Sequence, residues 1–346
     1  MNASPGRVSV IVPCRNEQRY VEAFCAAVLA QTLPAGWSMQ LVVADGMSED
    51  GTREVLERVS QAESRVQWID NPDLVVSAGL NRALACADGE VIVRMDVHTE
   101  YATDYIAECI AVLAETHADN VGGAWRAAPE SDAGATQRAI AAAFQSPWVA
   151  GGALSRRLDH EGWVDTVYLG CWPRATFERF GVFDESLVRN QDDEHNLRLI
   201  RGGGGVWQSP RIRSIYRPRA SLTQLLRQYL QYGYWKPFVI WKHGRAGSAR
   251  HLVPALFVAG SGLLFLASLL GASMWSSLGW LLLYVVVLGV LTWDVAFRER
   301  LDAATLALVP IVIAAYHLGY GTGSILGWCD VLRGAKPNER FATLTR

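Results

Sequence analysis

Apolar residues in the first hundred positions follow two periods in turn. Val8 to Pro13 alternates Val and Ile and predicts a strand; Arg19 to Ala30 places Ala, Val, Phe and Leu at helical spacing. The pair recurs as strand Gln40 to Ala44 with helix Thr52 to Val59. It recurs again as strand Val66 to Ile69, closed by Asn71-Pro72, with helix Ser77 to Ala87, for which Ser77 is the expected N-cap. Val91-Ile92-Val93 is a fourth, β-branched run. Four strands alternating with helices predict a parallel, doubly wound sheet with right-handed crossovers. Ligands of such sheets bind beyond the carboxyl ends of the strands.

After Thr99 the pattern changes. Helices are expected at Tyr105 to Glu115, Ala135 to Phe144 and Ala175 to Phe180, and strands at Val121 to Trp125 and Val164 to Leu169. Gln145 to Gly152 is a glycine-containing loop. The acidic cluster Gln191-Asp192-Asp193-Glu194-His195 opens a helix that runs to Arg201 and stops at Gly202 to Gly205. Ser221 to Trp241 mixes Leu, Tyr and Trp with Gln, Arg and Lys, the composition of an interfacial helix. Three apolar runs follow: His251 to Leu270, Leu278 to Trp293, and Ala303 to Trp328 with Pro310 and His317 inside it.

Basic residues flank these runs: Lys236, Lys242, Arg245 and Arg250 before the first, Arg298 and Arg300 after the second, and Arg333, Lys336, Arg340 and Arg346 after the third. Positive charge favours the cytoplasm. Two crossings satisfy the first two clusters; a full third crossing would put the last cluster outside, so the third run either crosses against this rule or is re-entrant or interfacial, giving two to three membrane helices. The expected organisation is a cytoplasmic catalytic domain over 1–220, an interfacial helix region over 221–250, a membrane region over 251–330 and a basic tail over 331–346.

Composition narrows the classes. The chain has 346 residues and a formal charge of −2, which gives no sign of a nucleic-acid partner. Its six cysteines are scattered without a C-x-x-C pair, so reduced thiols are expected rather than disulfides or a zinc site. Met1 to Arg7 is polar and without an apolar h-region, so a cleaved signal peptide is not expected.

Glu17, Asp45 and Asp96 each follow a predicted strand, so the sheet can bring them to one cleft. No glycine-rich phosphate loop follows the first strand. A nucleotide held here would rely on carboxylates, backbone and a cation, as a sugar nucleotide does. Asp45 or Glu17 would accept hydrogen bonds from base or ribose. Asp96 and His98, two apart on extended chain and so on one side, would hold Mg²⁺ or Mn²⁺ on the diphosphate. Displacing a nucleoside diphosphate from a sugar also requires a base. Asp192 is the candidate, with Asp193 or Glu194 as alternatives. Two rivals are a sugar-phosphate nucleotidyltransferase, which would want the missing loop, and a catalytically silent membrane scaffold, which would not need the three aspartates.

Pro13-x-Arg15-Asn16-Glu17, Asp45-Gly46-x-Ser48-x-Asp50-Gly51-Thr52, Asp96-x-His98 and Gln191-Asp192-Asp193-Glu194 occur in this order. In that order they resemble the family 2 glycosyltransferases and their GT-A fold, a Rossmann-like α/β sheet, here with C-terminal transmembrane helices. Gly79-Leu80-Asn81-Arg82-Ala83, Arg94-Met95-Asp96-Val97-His98 and Arg227 to Lys236 narrow the likeness to the ExoA-like branch of succinoglycan biosynthesis. The resemblance implies an inverting, metal-dependent hexosyl transfer, with glucose and UDP as the donor pair, to a lipid-linked (polyprenyl diphosphate) saccharide at the inner membrane. It implies nucleotide-sugar contacts at Pro13, Arg15, Glu17, Asp45, Asn81, Arg82 and Asp96, and a cation at Asp96 and His98. It makes Asp192 the base, with Asp193, Gln231 and Trp235 on the acceptor side. His98 stands where the family has a second Asp, and Gln191 where it has Glu. Tyr234 replaces the Arg of the processive Gln-x-x-Arg-Trp motif, which points to single-sugar addition.

Overall fold

The computed structural model describes residues 6–341; Met1 to Pro5 and the last five residues of the basic tail lie outside them. The chain divides into two compact units. One holds the segments up to Arg126 and Leu158–Tyr216, the other Ala127–Arg157 and the chain from Arg217 onward. The loop and helix at 127–157, expected in the catalytic domain, thus group with the C-terminal helices.

In the first unit β1 (Arg7–Cys14), α1 (Val21–Leu29), β2 (Ser38–Asp45), α2 (Thr52–Ala62), β3 (Val66–Asp70), α3 (Val76–Cys86) and β4 (Val91–Arg94) alternate as the pattern predicts. β5 (Thr99–Tyr101), α4 (Tyr105–Thr116), β6 (Asn120–Gly123) and β7 (Trp125–Ala127) follow. With α5 (Ala135–Gln145) in the second unit, β8 (Gly162–Trp163), β9 (Tyr168–Pro173), α6 (Arg174–Phe180), α7 (Gln191–Arg201), β10 (Val206–Gln208) and β11 (Ser214–Tyr216) complete this one. The main sheet has the order β3-β2-β1-β4-β9-β6-β10-β8, and its first four strands are parallel. β9 runs antiparallel between β4 and β6. A second sheet pairs β5, β11 and β7. Alternation along β1 sends Val8, Val10 and Val12 into one core cluster and Ile11 into the other, on the opposite face of the sheet.

Three local expectations change. Ser77 lies inside α3, behind an extended Val75, and its hydroxyl donates to the Leu187 carbonyl (3.2 Å) instead of capping. The strand expected at Val121 to Trp125 is two strands in two sheets. A Cβ on Gly123 would overlap the Ile212 carbonyl, so another segment crosses where the chain changes sheet. The strand expected at Val164 to Leu169 begins only at Tyr168. Val164 and Val167 are core residues, but Leu169 (φ 63°) and Gly170 (φ 112°) turn the backbone away from a regular ladder.

The second unit is helical: α5, α8 (Leu222–His243), α9 (Val253–Leu269), α10 (Met274–Arg298) and α11 (Ala303–Leu332). α8 and α11 meet backbone to backbone. A Cβ on Gly323 or Gly327 would overlap the carbonyl of Leu230 or Tyr234, and one on Gly233 that of Tyr320. Small residues four apart on a helix permit this approach. One face of α8 is therefore packed against α11, while Leu226 and Trp241 stay exposed. Segments Ala249–Leu269, Met274–Arg298 and Ala303–Leu332 are long and apolar enough to cross a membrane. α9 buries none of its residues and α10 only Val295, whereas α11 buries ten of its thirty.

Candidate active site

The site forms where the carboxyl ends of β1, β2 and β4 meet the start of α7, all within the first unit. Asp45, the last residue of β2, is fully buried. Its carboxylate accepts from the Ser48 amide (3.0 Å), the Ser48 hydroxyl (2.5 Å) and Arg53 (2.9 Å), and Arg53 also pairs with Asp70. The same hydroxyl accepts from the Asn16 amide (2.8 Å). Thr52 Oγ1 accepts from the Glu17 amide (2.8 Å), and Asp50 from Gln18 (3.1 Å) and Thr52. Burial pushes the Asp50 carboxyl up, but the bonds from Thr52 and Gln18 outweigh it and lower its pKa. Ser48, Asp50 and Thr52 thus staple the loop after β1 to the loop after β2, a positioning role that their place in the motif did not reveal.

Pro13 lies in β1 opposite Ala44; Arg15 is exposed and Glu17 buried. Cys14 shows how these groups gather. Burial raises its thiol far above the ordinary value, and the carboxylates of Glu17, Asp45 and Asp50 raise it further. His98 Nδ1 lies 3.6 Å from Glu17 Oε1, linking the ends of β1 and β4.

Arg94 connects the remaining carboxylates. It ends β4, two residues before Asp96, and donates through Nε (3.2 Å) and Nη2 (3.3 Å) to the Asp96 oxygens. Burial works against its charge, but Asp96 and then Asp192 raise its pKa above the normal guanidinium value. Asp96 thus pairs with a buried cation that also feels the charge of Asp192, from a distant part of the chain. Arg94 Nη1 is buried without a hydrogen-bond partner among the described residues. The spacing Arg-x-Asp on a strand end could have signalled this contact. Tyr101 and Tyr168 close the other side: burial, and then Asp96, push both phenols well up, and the Tyr101 hydroxyl accepts from the Asp96 amide (2.7 Å).

In the first turn of α7, Asp192 and Asp193 are half-buried, and Asp192 Oδ1 accepts from the Asp193 amide (2.9 Å). Glu194 is fully buried and doubly bonded by Arg198 (3.2 and 2.9 Å), which leaves Asp192 and Asp193 as the candidates for a base. Asn81 and Arg82 are not drawn into this cluster by their bonds. Asn81 locks α3 to Phe183 and Glu185 (2.8 Å each), and Arg82 pairs with Asp73 on the surface (2.7 Å). Gln231 and Trp235 belong to the helical unit and are buried in it; the Trp235 indole donates to the Phe341 carbonyl (2.9 Å).

The family model for glycosyl transferase family 2 matches residues 9–172. The succinoglycan biosynthesis protein ExoA of Rhizobium meliloti (strain 1021) is 31% identical over 247 residues, 71% of this chain and 73% of that protein. The chain belongs to glycosyltransferase family 2. A second relative of this glycosyltransferase, at 23% identity over 68% of the chain and 74% of its own length, is a dolichyl N-acetyl-alpha-D-glucosaminyl phosphate 3-beta-D-2,3-diacetamido-2,3-dideoxy-beta-D-glucuronosyltransferase from Methanococcus voltae. Its fold is similar to that of the mannosyltransferase PcManGT from Pyrobaculum calidifontis in complex with GDP-Man and Mn²⁺ (TM-score 0.57, 18% identity, 96% of this chain and 88% of that one). S. aureus TarS 1–349 is also similar (TM-score 0.51, 14% identity, 95% and 92%). The glycosyltransferase is thus a GT-A-like α/β protein with three apolar C-terminal helices.

Proposed function

We propose that this glycosyltransferase is an inverting hexosyltransferase. It moves glucose from UDP to a polyprenyl-diphosphate-linked saccharide during exopolysaccharide or cell-envelope glycan synthesis. The observation that supports the reading is at Arg94: Asp96 pairs with this buried cation and the Asp192 charge acts on it, so the carboxylates read as donor-side and base-side are near one another. Glu17 and Asp45, with Pro13 and Arg15, frame the nucleotide. The relatives support the substrate classes: ExoA is named for succinoglycan, and the Methanococcus protein for a dolichyl-phosphate-linked sugar.

Among the described residues no group of three or more His, Cys, Asp or Glu is arranged as a metal cage. Asp96 and His98 do not lie on extended chain as expected: the Thr99 amide donates to the Asp96 carbonyl (3.1 Å) across a turn, Asp96 pairs with Arg94 and His98 lies by Glu17. A divalent ion arriving on a diphosphate needs only one or two protein donors, which the partly exposed Asp96 and His98 could each supply. Asp96 and His98 would hold Mg²⁺ or Mn²⁺, which supplies positive charge against the departing diphosphate. Asp192 takes the proton of the acceptor hydroxyl as it attacks the anomeric carbon from the face opposite the leaving group. The apolar helices and their basic flanks support multi-pass anchoring in the plasma membrane with the catalytic unit on the cytoplasmic side.

The test is transfer from radiolabelled nucleotide sugars to membrane lipid extracts, with the lipid product identified. UDP-glucose should label a lipid. Asp192→Asn should lower transfer by about 10²–10⁴-fold while UDP still binds with Mg²⁺ or Mn²⁺. Full transfer by that variant removes Asp192 from the mechanism, and a wild type that binds no UDP with either cation removes the donor reading.

A further inference from the structure

The loop Gln145 to Gly152 has no part in the chemistry above, yet specific contacts hold it within the helical unit. Ser146 Oγ donates to Asp294 of α10 (2.6 Å), and His317 of α11 lies 3.2 Å from the Val149 carbonyl. Gly151 (φ +70°) is left-handed, and a Cβ there would come 3.0 Å from the Arg250 side chain. The loop backbone therefore lies against the stem of Arg250, just before the first apolar helix.

Arg156, just past the loop, reaches the same place from the other side. Its guanidinium carbon is 6.0 Å from the Phe144 ring centre. Phe144, Tyr229 and Tyr316 form one aromatic cluster, with centroids 5.9, 6.3 and 3.9 Å apart. Phe144 stands at the start of the loop whose Gly151 packs on Arg250. Two half-buried arginines thus flank one loop, Arg156 by the aromatic wall at its start and Arg250 against Gly151 near its end. Guanidinium matches phosphate oxygens in pairs, and aromatic surface suits an adjoining isoprenoid chain. Trp148 on the loop is 59% exposed, the placement of a side chain seated at a membrane interface.

We propose that Arg156 and Arg250 bind the phosphate or diphosphate of a lipid-borne acceptor at the membrane surface. This rests on the reading that the acceptor is a polyprenyl-linked saccharide.

The test measures binding of the full-length protein to nanodiscs of phosphatidylcholine with and without polyprenyl diphosphate, with inorganic pyrophosphate in solution as the second probe. Arg156→Gln and Arg250→Gln should each weaken diphosphate-lipid binding about tenfold, and the pair more. Arg→Lys at each position should recover part of it, with melting temperatures unchanged. Undiminished binding by the double Gln variant overturns the proposal. Inorganic pyrophosphate binding as tightly as the lipid overturns the lipid source. No nucleotide sugar enters this measurement, so a failed UDP test counts against the donor reading alone.

Discussion

Arg94→Met would show whether the buried cation holds the site together. The Arg94 side chain is 7% exposed and its Asp96 partner 17%, so the pair is poorly hydrated. Met fills much of the same volume but leaves Asp96 and Asp192 without their shared counter-charge. Removing one member of a buried ion pair costs about 3–5 kcal/mol. The two Arg94–Asp96 bonds are long, 3.2 and 3.3 Å, which places the expected loss near the lower end, ~3 kcal/mol. For a unit of this size that corresponds to a fall in Tm of about 6–12 °C. Arg94→Lys keeps the charge but not the paired donors, and should cost about 1–2 kcal/mol. Thermal unfolding in detergent, followed by tryptophan fluorescence, reads both variants, and UDP titration reports whether the proposed donor site survives. A Met variant that melts within 1 °C of wild type and binds UDP normally refutes the shared-cation account.

Ser48→Ala removes the hydroxyl bond to the buried Asp45 and the acceptor for the Asn16 amide. It keeps the Ser48 amide bond only if the turn survives. Because bonds to charged groups are worth about 1.5–3 kcal/mol, the denaturant midpoint should fall and the donor KM rise more than kcat falls; an unchanged KM would detach this staple from donor binding. His195 is enclosed by Trp172, Phe177 and Phe183, and burial, then Arg198, lower its pKa to about 4. Below the unfolded value of 6.5 the unfolded chain takes a proton that the folded chain refuses, so stability falls as pH drops from 6.5 to 4, by up to ~3 kcal/mol. His195→Phe should flatten that part of the pH–stability curve, and parallel curves for the two proteins would contradict it. Gly323→Ala sets a Cβ against the Leu230 carbonyl and should cost about 1–3 kcal/mol by pushing α8 from α11; a melting curve identical to wild type would mean that the two backbones are not in contact.

The βα alternation through β4 was legible in the sequence because each strand buries a period-two face and each helix a period-3.6 face, both local properties. The family motifs were legible for the same reason: Asp45, Asp96 and Asp192 sit at or next to element ends, which the local pattern marks. What local pattern could not show was which groups share a partner. Arg94 joins Asp96 to Asp192 only because β4 ends beside the start of α7, and Glu194 leaves the candidates only because Arg198, one turn on, claims it. Likewise the packing of α8 on α11 was not legible in either segment alone, because it depends on glycines at 319, 323 and 327 that let the two backbones come close. Period and composition are set residue by residue; charge sharing and backbone approach depend on segments far apart in the chain, and only the folded arrangement decides them.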